Sequence, residues 1–159
     1  MGVSGSGKSH IGSRLAATLG ALFEDGDDFH PPSNKAKMSA GTPLTDADRK
    51  PWYDILRQRI ETMRHTAPLY ILACSALKTS YRQWLRSGDA PEALRFVLLD
   101  GTRELIHQRM SARKGHFMPL SLLESQLATL ETSPDLVRVS ISGTPDEIVA
   151  DILQKLTPP

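Results

Sequence analysis

An α/β fold, with a parallel sheet covered by helices on both faces, is what this sequence predicts, and three observations carry the prediction. The run GVSGSGKS at 2–9 fits the pattern G-x-x-x-x-G-K-[ST] and is followed by apolar residues at helical spacing. Two short apolar runs, LYILAC at 69–74 and RFVLL at 95–99, read as fully buried strands. Helical periodicities alternate with these strands, which is the order that crossovers between parallel strands require. Ligands of such a sheet collect at the carboxyl ends of its strands.

The first element describes a backbone shaped to hold the phosphates of a nucleotide, ATP or a close relative. Gly2, Gly5 and Gly7 permit dihedrals barred to other residues, so the N–H groups of the loop, with Val3, Ser4 and Ser6 between the glycines, converge on an anion. Lys8 adds a positive charge near the β- and γ-phosphates, and Ser9 a hydroxyl for Mg²⁺. The helix that starts there presents its positive dipole end. Such a loop ordinarily follows a buried strand, and here only Met1 stands before it. A central first strand is therefore missing from the pattern, and the expectation is that the natural protein carries several apolar residues ahead of Met1, which intact-mass analysis checks.

Behind the loop, Ile11, Leu15, Leu19 and Leu22 recur near helical spacing, with Gly20 as the stop before a short strand at 21–24. That strand runs into EDGDD. The stretch 30–44 mixes Pro, Gly, Asn and Lys and predicts short surface turns, and the region 30–50 suits a mobile substrate lobe. Thr45 and Asp48 resemble a capping box, but Pro51 would break a helix already under way, so the main helix is placed at 51–64 with Trp52, Ile55, Leu56, Ile60 and Met63 inward. After the strand at 95–99 come a helix at 103–112, the loop KGHFM, and a helix at 121–130 carrying Leu122, Leu123, Leu127 and Leu130. VRVSI at 137–141 is the last strand. Thr144, Pro145 and Glu147 then form a helix start for 148–156.

Composition narrows the partners. A length of 159 residues suits one domain. A formal charge of +1, with 19 scattered Lys and Arg, gives no field for nucleic acid or an acidic membrane. The single Cys74 permits no internal disulfide, and no apolar run has membrane-spanning length. Cytoplasm is the expected compartment.

The residues that carry chemistry cluster at predicted strand ends. Asp25, Asp27 and Asp28 follow the second predicted strand, where one carboxylate can reach metal-bound water and another an acceptor hydroxyl, the two services phosphoryl transfer needs. An acidic turn is the alternative, since Asp and Gly are ordinary turn residues. A calcium loop is not, because the position that would need Glu holds Ala36. Arg109 and Arg113 lie on one helix face and repel each other unless an anion sits between them. With Lys114, Gly115 and His116 they read either as a lid over ATP at 109–120 or as a solvated basic face. ACSALK at 73–78, with Tyr81 and Arg82, sets a hydroxyl and two cations past a buried strand, suiting a small anionic substrate or a capped helix with surface cations. Cys74 reads as a small buried apolar residue. Asp100 mimics a Walker B acid, or simply ends its strand.

Taken together, FEDGDDFHPPSNKAKMSAGTPLTDADRKPW, ACSALKTSYR and RMSARKGHFMPLSLLESQLATLE resemble the gluconate kinases, from Gly2 to the last helix. The resemblance implies a P-loop NTPase fold, like that of nucleoside and shikimate kinases, with strand order 2-3-1-4-5. It implies transfer of phosphate from ATP, with Mg²⁺, to the terminal hydroxyl of D-gluconate, by a homodimer. Carried onto this sequence, Lys8 clamps the phosphates, Ser9 holds Mg²⁺ and Asp25 supports the metal's water shell. Asp27 faces the sugar hydroxyl, and Arg49, Lys78 and Arg82 are candidates for substrate contacts. Arg109, Arg113 and His116 belong to the lid, with Arg113 assisting transfer and His116 reaching substrate. Leu127 and Thr132-Ser133 depart from the family pattern, which bears on packing after the lid. Competing readings are a kinase of shikimate or of a nucleoside monophosphate, and a nucleotide-binding regulator that transfers nothing. Against a GTP switch, Asn34-Lys35 is followed by Ala36 and Lys37, not by the guanine-reading pattern.

Overall fold

The computed structural model describes residues 1–86, 93–112 and 120–157. Helix α1 (Lys8–Leu19) ends at Gly20, whose φ of 64° satisfies the left-handed cap. It leads to β1 (Leu22–Asp25), a single 3-10 turn (Gly26–Phe29), α2 (Pro32–Ser39) and α3 (Asp46–Thr66). Then come β2 (Tyr70–Ala73), α4 (Thr79–Arg86), β3 (Phe96–Asp100) and α5 (Arg103–Ser111). Helix α6 (Leu120–Thr129), β4 (Leu136–Ser140) and α7 (Pro145–Leu156) complete the order.

The main helix begins earlier than the sequence reading placed it. Thr45 and Asp48 do form a reciprocal capping box, and α3 runs through Pro51. Proline there removes one ladder bond, to the carbonyl of Ala47. The two reciprocal bonds of the capping box and the burial of Trp52, Tyr53 and Leu56, each at most 1% exposed, outweigh that loss. The stretch 30–44 is likewise less superficial than expected: α2 buries Asn34, and Leu44 joins the core.

The strands form two parallel pairs, β1 with β2 and β3 with β4. These are the 2-3 and 4-5 neighbours of the expected order, and between them the central position is held by Met1 and Gly2. The Met1 amine donates to the Val97 carbonyl at 2.5 Å, Leu99 N–H donates to the Met1 carbonyl at 3.0 Å, and Gly2 N–H to that of Ser75 at 3.2 Å. Below Met1 the two pairs leave an apolar cavity of about 320 Å³, lined by Leu15, Ile71, Ala73, Val97 and Ile152 among others. It is a groove in the sheet that runs from Tyr70 and Phe96 at the strands' starts to Ala73 and Leu99 near their carboxyl ends.

Alternation along β3 divides the core. Leu98 packs with Trp52, Tyr53, Leu56, Tyr81 and Leu85 on one face. Leu99 packs with Val3, Ile11, Leu15, Ile106 and Val139 on the other. Both faces are thus covered, as a parallel sheet requires. Cys74 lies in the first cluster, and burial pushes its thiol up to about 12, which suits an inert apolar filler.

Candidate functional site

The phosphate loop takes the shape its glycines allow. Gly5 has φ 82°, and a Cβ there would lie 2.6 Å from Met110 Cγ. Gly7 caps α1 in the left-handed region, φ 92°, with no side-chain acceptor for the first-turn N–H groups, which leaves them for an anion. Val3 anchors the loop in the core, and Ser6 is fully buried. Ser4 N–H donates to Gln126 Oε1 at 2.7 Å, so α6 helps to hold the loop, a role the sequence reading did not find. Lys8 Nζ folds back onto the Val3 carbonyl at 3.1 Å.

From Lys8 and Ser9 the site continues directly into the acidic turn. Ser9 Oγ donates to Asp25 Oδ2, and the other oxygen of Asp25 accepts the Asp27 N–H at 3.0 Å. One carboxylate therefore ties the end of the loop to the main chain that presents the second. The Asp27 side chain is 69% exposed toward the cleft. Partial desolvation among the surrounding protein atoms raises its pKa above the ordinary carboxylate value; Lys8 opposes this, while Asp25 and Asp28 add to it. The turn is braced from α3, where Trp52 Nε1 donates to the Gly26 carbonyl at 2.7 Å.

His30 stacks on Trp52, with centroids 4.0 Å apart and planes at 17°. Burial, then Arg49 and Lys35, lower its pKa to about 4, so the ring is neutral at physiological pH. The unfolded chain takes up this proton near the ordinary value of 6.5. The stability that His30 contributes is present above that pH and is lost as pH falls toward 4. Urea titrations at pH 7 and pH 5 should show about 2 kcal/mol of this loss assignable to His30. His30→Phe should remove that share, and an unchanged pH dependence in the variant would refute the assignment.

The cations expected at the substrate end separate into two kinds. Lys78 Nζ pairs with both carboxylate oxygens of Asp46 at 3.0 Å and lies 5.3 Å from the Tyr81 ring centroid. Arg49 lies 5.7 Å from the same centroid and donates to the Leu44 carbonyl. Tyr81 Oη donates to Asp46, which closes the group. Arg82, expected to touch substrate, is instead turned inward and is 1% exposed. Its guanidinium serves the carbonyls of Ala76 and Leu77, Thr79 Oγ1 and Ser133 Oγ. It fixes the segment after β2, where Ala76 adopts a strained φ of 45°.

On the nucleotide side, Arg109 reaches across the loop and donates to the Ile141 carbonyl at 2.5 Å, with its NH1 3.9 Å from where a Gly7 Cβ would stand. Arg113 and His116, with most of the expected lid, lie outside the described residues. Asp100 ends β3 and pairs with Arg138 of β4 at 2.5 Å, so its carboxylate is engaged away from the loop.

This geometry agrees with what the chain is similar to. A family model described as an AAA domain matches residues 1–133. A gluconokinase of Gluconobacter oxydans is 47% identical over 97% of this chain and 87% of its own length. The chain belongs to the gluconokinase family. The crystal structure of a gluconokinase from Sinorhizobium meliloti superposes with a TM-score of 0.88 at 45% identity, covering 98% of this chain and 88% of that one. A shikimate kinase of Aquifex aeolicus, 20% identical with a TM-score of 0.63 over 98% of this chain and 92% of its own, shares the fold. The chain is thus a P-loop kinase of that family.

Proposed function

We propose that this chain transfers the γ-phosphoryl group of ATP to the terminal hydroxyl of D-gluconate, giving 6-phospho-D-gluconate and ADP. The observation that carries the reading is the bonded path from Ser9 through Asp25 to Asp27, which fixes a carboxylate beside the phosphate-binding lysine. Backbone N–H groups of the loop and the start of α1 hold the phosphates, and Lys8 leaves the Val3 carbonyl to meet the charge on the moving group. Asp27 orients the acceptor hydroxyl and takes its proton. Burial raises its pKa, which makes it a better base than an ordinary carboxylate. Arg49 and Lys78 receive the carboxylate of gluconate, with Lys78 exchanging Asp46 for it. Arg109 adds charge on the nucleotide side.

Mg²⁺ fits this donor set. Ser9 and Asp25 offer hard oxygens at one point, and among the described residues no larger His, Cys, Asp and Glu cluster could hold it alone. Phosphate oxygens and water complete such a shell. An ion held by Ser9 and Asp25 would neutralise phosphate charge. The segment 30–50 acts as the substrate lobe, the family resemblance supports a homodimer, and the lone Cys74 supports a cytoplasmic setting.

A coupled ADP-release assay across gluconate, other sugar acids, shikimate and nucleoside monophosphates tests the reading. Gluconate should give the highest kcat/KM. Equal or better turnover of shikimate or a nucleotide would overturn it.

A further inference from the structure

We infer that His30 is a positioning residue of this site, an imidazole locked by Asn34 as its Nε2–H tautomer so that a fixed N–H donor faces Asp27. The lock can be read atom by atom. Asn34 Nδ2 lies 2.9 Å from the Asp48 carbonyl, which can only accept, so the amide nitrogen and not its oxygen faces that way. The second N–H of the same nitrogen reaches His30 Nδ1 at 3.3 Å. Nδ1 is therefore the acceptor, and the single proton of the neutral ring sits on Nε2. That atom is 3.9 Å from Asp27 Oδ1.

Each support of this arrangement is rigid. Asn34 is 2% exposed, and the His30 side chain 4%. Asp48 belongs to the capping box that starts α3, and Trp52, the stacking partner, is tied to the Gly26 carbonyl. A chain of contacts thus runs from the first turn of a long helix to the edge of the cleft. The gap of 3.9 Å exceeds hydrogen-bond length, and the open Asp27 side chain closes it by a small rotation when substrate fills the cleft. Burial, with the charges of Arg49 on α3 and Lys35 on α2, keeps a second proton off the ring. The N–H then holds Asp27 with one oxygen occupied and the other turned to the acceptor hydroxyl.

This inference rests on Asp27 facing that hydroxyl, and the test separates the two. Long-range ¹H–¹⁵N spectra of the labelled chain at neutral pH should show His30 protonated at Nε2 and bare at Nδ1; the opposite tautomer overturns the inference. His30→Phe keeps the ring stack and removes the donor. It should lower kcat about tenfold with KM for ATP changed less than about twofold, and His30→Gln, which restores a donor, should recover part of the loss. A His30→Phe enzyme with unaltered kcat overturns the inference. If His30→Phe does not fold, the tautomer in the unaltered chain still decides. Full turnover in Asp27→Asn would remove Asp27 and this role of His30 together, whereas loss in Asp27→Asn with none in His30→Phe removes His30 alone.

Discussion

Lys8→Ala should lower kcat by about 100-fold or more, equivalent to about 3 kcal/mol of transition-state stabilisation. The reason lies in what remains after the substitution. The loop keeps its backbone cradle, because its shape is set by Gly2, Gly5 and Gly7 and by the anchorage of Val3 and Ser4. The ground-state phosphates are still met by N–H groups and by the start of α1. What disappears is the ammonium that rests on the Val3 carbonyl and, in the proposed reaction, turns to the moving phosphoryl group. KM for ATP should therefore rise less than kcat falls. Steady-state ADP release at saturating ATP and gluconate checks this, and a near-normal kcat would remove Lys8 from catalysis.

Asp27→Asn should have an effect of similar size, about 100-fold or more on kcat, by a different route. The substitution is nearly isosteric, and the position of residue 27 is set by its main-chain N–H on Asp25, which the change does not touch. The Trp52 bond to Gly26 also remains. Folding and nucleotide binding should persist while the proton acceptor is lost. Calorimetric binding of ATP to the variant, beside its turnover, distinguishes this from unfolding. Near-normal turnover in Asp27→Asn would strip the carboxylate of its catalytic role.

Local chemistry was the legible part of this chain. The phosphate loop could be read because its backbone shape is dictated by glycines within a few residues, and the acidic turn because strand ends in parallel sheets collect ligands. The start of α3 was misjudged by giving Pro51 more weight than the reciprocal Thr45–Asp48 cap just before it. Arg82 was misread for a longer-range reason. Its inward turn depends on Ser133, far along the chain, and on the carbonyls exposed by the unusual backbone at Ala76. His30 and Asn34 were legible only as members of the motif HPPSNKAKM; their pairing was not, since it is fixed by the Asp48 carbonyl, which belongs to a different helix. Side chains committed by distant packing leave no periodicity to find.

The dipeptide Met1-Gly2 spans the seam between the two strand pairs, and it is also the first step into the phosphate loop. It works as a keystone. Any ligand that tightens the loop also clamps the seam, so nucleotide affinity and cohesion of the two half-sheets become reciprocal quantities. Saturation with nucleotide should accordingly slow amide exchange at Leu99, whose N–H is bonded to the Met1 carbonyl.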